Sequence, residues 1–248
     1  MKVVTDENLE YFKGKQDAFN EGKFALKGET GASIATPETA GIVKPGSDFD
    51  IAADGTITLY QPMAVNSLSV SPSQAERGST VADVTLKWSL SKVPASLTLN
   101  GEPLGATDTQ KVIEGANLKT DTTYTVKAVD ARDASAQRNA TVYFRDKRHW
   151  FTGTYDADAL TDGVLNAATG ELATSRAKTF SVNAAEGQHI FYAFPHSWGT
   201  PAFFVGGFEG GFSLLKTFDH VNASGASVSY DVYKSTNAGL GQTTVEVK

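Results

Sequence analysis

The apolar residues of this chain recur at helical spacing in one convincing stretch, its first 28 positions. From there to residue 248 they alternate, or cluster between turn signals. A chain patterned this way must build most of its core by pairing strands. A period of two sends side chains to opposite sheet faces, whereas a helix needs a period near 3.6.

The alternation is cleanest at Val84, Leu86, Trp88 and Leu90, and returns at Tyr124, Val126 and Ala128 and at Val142 and Phe144. Leu97 and Leu99 run into Asn100-Gly101, a strong hairpin turn. Short strands at this spacing predict an Ig-like β-sandwich over residues 63–146. The chain has no cysteine, which excludes an inter-sheet disulfide, a thiolate metal site and a cysteine nucleophile. Trp88 is expected to pin the core instead.

In the N-terminal stretch, Leu9, Phe12, Gln16, Phe19, Lys23 and Leu26 follow a 3-4-3-4-3 heptad spacing. Thr5 suits an N-cap and Gly28 a stop, so residues 1–28 are predicted to form a coiled-coil helix. About three heptads carrying Gly14 and Gly22 cannot stand alone in water. The helix either docks on its own domain or joins copies of itself, and a homotrimer with those six residues as its interface is expected. Residues 29–62 read as a short β stalk or linker, in which Phe49 and Ile51, then Asp54-Gly55, then Ile57 and Leu59 signal a hairpin. Asp48, Asp50 and Asp54 do not have the spacing of a calcium loop.

Residues 147–248 are expected to form a C-terminal β-rich, sandwich-like domain holding all 4 histidines and most of the aromatic residues. Ile190, Tyr192 and Phe194 alternate up to Pro195, and Val228, Tyr230, Val232 and Thr244, Val245, Val247 close the domain. A helical turn is allowed near Asp156–Leu165. The glycines of 206–211 are read as a bulge or a tight strand crossing.

Chemical motifs are sparse. There is no Gly-x-Ser-x-Gly, no His-Glu-x-x-His and no phosphate-cradling loop, and His149, His189, His196 and His220 lack metal-ligand spacing. Carboxylates are numerous, Glu209 among glycines and aromatics being the most conspicuous, but no pair is defined. No catalytic residue, metal or cofactor is expected. A formal charge of -6, from 22 basic and 28 acidic side chains, argues against nucleic acid as a partner. No apolar run is long enough for membrane insertion. Recognition remains. His149 and Trp150, and His196 and Trp198 in the Pro-bounded loop 195–201, are the candidate receptor-binding residues, unless the two indoles serve as core.

At Ala35-Thr36-Pro37-Glu38-Thr39-Ala40-Gly41-Ile42-Val43-Lys44-Pro45-Gly46, followed by Asp54-Gly55-Thr56, the chain resembles a recurring segment of phage tail and head fibres. The leader from Val4 to Phe12, Lys87-Trp88-Ser89-Leu90, and the stretches 190–195 and 205–208 are similar to parts of phage and prophage structural proteins with an Ig-like domain. The resemblance implies a virion component of the tail or fibre that mediates host attachment. Its implied partners are a bacterial cell-surface glycan or other receptor and further tail or baseplate proteins. Met1 to Asn8 lacks the apolar core of a signal peptide, which suits a protein made in the host cytoplasm. The alternatives are a tail-associated polysaccharide depolymerase and a capsid decoration protein or cell-surface adhesin.

Overall fold

The computed structural model describes residues 48–51 and 56–248. The chain divides into two units, Met1–Pro62 and Met63–Lys248. The expected helix with its seam residues Leu9, Phe12, Gln16, Phe19, Lys23 and Leu26 lies outside the described residues, as does the Asp54-Gly55 turn.

In the first unit, β1 (Phe49–Ile51) and β2 (Ile57–Leu59) form an antiparallel hairpin in which Phe49 faces Leu59 and Ile51 faces Ile57. The Tyr60 N–H donates to the Asp48 carbonyl at 2.8 Å and closes the open end. Ile57 and Leu59 are 45% and 70% exposed. A two-stranded hairpin with its apolar side chains in water is marginal alone.

The second unit begins as a sandwich. One sheet is β3 (Val65–Ser71), β5 (Val84–Leu90) and β8 (Gln110–Ile113), in the order β3-β5-β8. Facing it, β7 (Glu102–Leu104), β6 (Ser96–Leu99), β9 (Thr122–Val129) and β10 (Ser135–Gly153) lie side by side. β4 (Gln74–Glu76) runs parallel to β10. This order is consistent with an Ig-like sandwich. The alternation in β5 buries Val84, Leu86 and Trp88 while Lys87 and Ser89 face water. Trp88 does sit in the core, and its indole N–H donates to the Asp108 carbonyl at 2.8 Å, so the buried ring leaves no polar cost. Asn100 and Gly101 both take positive φ, 51° and 90°, the two-residue turn that matches strand twist.

β10 is 19 residues long and belongs to both halves of the unit. Its first part pairs with β9; beyond it, the strand pairs with β11 (Thr169–Ala173) and β13 (His189–Pro195). The expected limit between residues 146 and 147 therefore falls inside a strand. Outward from β13 the sheet continues through β17 (Ser227–Ser235) to β16 (Phe212–Val221). A second sheet packs on it, in the order β12 (Lys178–Ala184), β18 (Gly241–Val247), β14 (Phe203–Val205), β15 (Phe208–Glu209).

β13 is central and covered on both faces. Ile190, Tyr192 and Phe194 pack with Phe180, Phe203 and Val245 of the second sheet. Phe191 and Ala193 point the other way, toward Tyr230, Val232, Leu160 and Leu165. Leu165 belongs to α1 (Asp162–Ala167), the short helical turn allowed by the sequence. With 6 residues it is stable only as a lid on that core.

Candidate recognition surfaces

Neighbours on a strand face opposite ways, and this separates His149 from Trp150. His149 is 4% exposed and sits in the interior beside His220 and Tyr230, at ring centroid distances of 6.0 Å each. It offers nothing to a macromolecular partner, which corrects the expectation that it joins a surface patch. Trp150 turns to the other core, 5.8 Å from the Phe180 ring, with the Lys178 ammonium 5.0 Å from its own ring. Its role is chiefly packing.

The loop after β13 begins with a 3-10 turn, His196–Trp198. Trp198 stacks on Phe194 at 6.4 Å with planes 5° apart, and Arg176 donates to its carbonyl. His196 stays exposed, with Nδ1 2.9 and 3.0 Å from the carboxylate oxygens of buried Asp231. Thr217 donates its hydroxyl to the same carboxylate at 2.6 Å. An ionised carboxylate only accepts, so the histidine N–H points inward and Nε2 is left for solvent. An imidazole oriented in this way can act as a base only when a nucleophile or substrate faces that nitrogen. No three His, Cys, Asp or Glu side chains among the described residues gather for a metal ion.

Two buried histidines lie beneath α1. His220 Nδ1 is 2.9 Å from Asp162 Oδ1, which also accepts the Val221 N–H at 2.9 Å. Burial alone would raise the Asp162 carboxyl, but the Val221 N–H and the His220 ring outweigh it and hold it below the usual value. His149 Nδ1 and His220 Nε2 are buried without a hydrogen-bond partner. Burial pushes the His149 ring down to about 4, helped by the nearby His220 and Lys147 and opposed by the Ala168 backbone. It is neutral at ordinary pH.

The two halves of the unit are clamped by ions and close contact. Arg77 grips Asp146 through Nε at 2.9 Å and Nη2 at 3.2 Å, and Lys147 reaches Glu76 at 2.9 Å. Asn222 Nδ2 donates to the Arg77 carbonyl at 2.8 Å. The hydrogen bond to Asp146 raises the Arg77 guanidinium further, against the pull of burial.

The outer face of the second sheet is different in kind. β18 sends Val245 and Val247 inward and Gln242, Thr244 and Glu246 outward. Cross-strand pairing places Thr179 and Phe204 on either side of Glu246. The β14–β15 turn and this row together line an open groove of about 470 Å³. Gly206 and Gly207 make that turn with φ of 60° and 85°, and nothing lies within 4 Å of where their Cβ atoms would be. The glycines serve the backbone angle, not the close crossing expected from the sequence. Phe208, 82% exposed, and Glu209 line a smaller cleft of about 200 Å³. None of the groove residues was singled out in the sequence as a binding residue. Their one signal was the polar alternation of Gln242, Thr244 and Glu246.

These layers define the class, a mainly β protein whose second unit joins two sandwiches through one strand. No known family profile and no curated protein matches the chain. Among solved structures, the N-terminal eight Ig domains of Down Syndrome Cell Adhesion Molecule (DSCAM) isoform 1.30.30 align with 82% of the chain at 11% identity and a TM-score of 0.24. The chain spans only 31% of that structure. The class therefore rests on the strand order above.

Proposed function

We propose that this chain is a structural, receptor-binding component of a phage-type tail or fibre, displayed as a homotrimer and attaching the particle to a glycan on a bacterial surface. The observation that supports it most is the hairpin at 49–59. Ile57 and Leu59 are exposed in a hairpin that belongs to the first of the two compact units. Burying such side chains is worth roughly 1.5–3 kcal/mol each, and neighbouring copies of the same hairpin supply that burial. The heptad spacing of residues 9–26 offers a means of gathering three copies. A trimer raises weak single-site binding through rebinding, which a surface-attachment protein needs. The -6 charge suits an uncharged polymer better than a nucleic acid.

The test is the solution mass of the full chain beside a version lacking residues 1–30. A trimer that becomes a folded monomer on truncation is the expected result. An intact chain that stays monomeric at high concentration overturns the reading.

A further inference from the structure

We infer that the outer face of the β12-β18-β14-β15 sheet is the binding groove, and that its ligand is an uncharged oligosaccharide. The inference rests on the attachment reading and gives it a location that the aromatic-rich stretches of the sequence did not.

The floor of the groove is polar without being charged overall. Thr179 offers a hydroxyl, Thr244 one that shares a 2.7 Å hydrogen bond with the Ser181 hydroxyl and keeps acceptor capacity, and Gln242 an amide that both donates and accepts. Glu246 is the one acid lining the groove, with Lys248 Nζ 3.2 Å from its Oε1, and Glu209 stands beyond Phe204 at the sheet edge. A phosphate polymer finds no free cluster of cations on this floor. A peptide finds no deep apolar socket for an anchoring side chain. Sugar hydroxyls, which donate and accept at once, match threonine hydroxyls and an amide.

The apolar complement is Phe204, half-buried and raised between Glu246 on β18 and Glu209 on β15. The Lys248 ammonium lies 4.5 Å from its ring, which marks an accessible aromatic face of the kind the C–H side of a pyranose packs on. The wall is the Gly206-Gly207 turn. Open space at both missing Cβ positions lets a ligand approach backbone N–H and C=O groups directly. The groove volume, about 470 Å³, falls within the roughly 300–1,000 Å³ range of small-ligand sites.

The floor side chains belong to paired strands whose inward residues fix the core, so outward replacements leave the fold intact. The experiment titrates the full chain onto immobilised neutral oligosaccharides of glucose, galactose, rhamnose and N-acetylglucosamine, with polyphosphate as the anionic control. Retention of at least one neutral sugar is expected, weakened tenfold or more by Thr244→Arg, which fills the groove. Thr179→Arg and Gln242→Ala should weaken it in the same direction, all at an unchanged thermal midpoint. Absence of retention on every neutral sugar overturns the inference. So does a preference for polyphosphate, or binding indifferent to all three replacements. The fibre reading is judged separately by the mass comparison. A trimer that holds no neutral sugar removes the groove and keeps the fibre, and a monomer that binds sugar through these residues does the reverse.

Discussion

The two halves of the second unit solve the same burial problem differently. In the Ig-like half, β5 is wet on one face and dry on the other, so alternate residues carry the core. In the C-terminal half, β13 is dry on both, and five consecutive residues from Ile190 to Phe194 are fully buried. The first arrangement tolerates change at every second position. The second tolerates it nowhere along the strand, and in return it holds two cores together.

The largest test of that contrast sets neighbouring positions against each other. Phe191→Ala and Tyr192→Ala should each cost about 3–5 kcal/mol in chemical denaturation, although their side chains enter different cores. On β5, Leu86→Ala should cost about 2–5 kcal/mol and Lys87→Ala no more than about 0.5 kcal/mol. A β13 pair that splits like the β5 pair would break the comparison.

Next comes acid. The folded His149 ring titrates near 4, below its ordinary value of 6.5, so between those values the unfolded chain takes up a proton that the folded chain refuses. The full stabilisation is present above pH 6.5 and drains away as pH falls toward 4, by on the order of 3 kcal/mol. The charged and titratable groups around it are His220, Lys147 and Tyr230, with Asp162 held on the far side of His220. His149→Gln should flatten the stability profile over that window. An unchanged slope in urea melts between pH 6.5 and 4 would assign the acid sensitivity elsewhere.

A smaller effect probes the seam between the halves. Gly78 has a φ of 87°, and a Cβ there would stand 2.9 Å from the Ala226 Cβ and 3.0 Å from the Ser224 carbonyl. Gly78→Ala should cost about 1–3 kcal/mol and lower the thermal midpoint as one transition for both halves. Two separated transitions would show that the halves unfold independently. Smallest of all, Phe208→Ser at the exposed hairpin should shift stability by no more than about 0.5 kcal/mol.

What the sequence made legible follows the same line. Val84, Leu86 and Trp88 were readable because a half-buried strand writes its burial as a period. β13 was read in part. The alternation of Ile190, Tyr192 and Phe194 is legible, but a strand buried on both faces has no period, so nothing in the sequence marks the burial of Phe191 and Ala193. The limit between residues 146 and 147 follows a shift in composition, toward aromatics and histidines, and the charged run Asp146, Lys147 and Arg148 gives no sign of a strand passing through it. In the structure each is paired, with Arg77, Glu76 and Glu171, and the strand passes through them. The interior of His149 was hidden for a related reason: it depends on His220, on β16, and on Gly170, where a Cβ would meet the ring at 2.7 Å. The groove is built from β12, β14 and β18, and the polar alternation of Gln242, Thr244 and Glu246 marks one of its strands without showing which distant strands complete it.

One shared strand also has a mechanical meaning. At about 3.3 Å per residue, β10 extends roughly 60 Å without a hinge, loop or linker. A load on either sandwich reaches the other through that backbone, whose successive segments are hydrogen-bonded to β9, β4, β11 and β13. The two sandwiches therefore meet through continuous strand rather than through a linker.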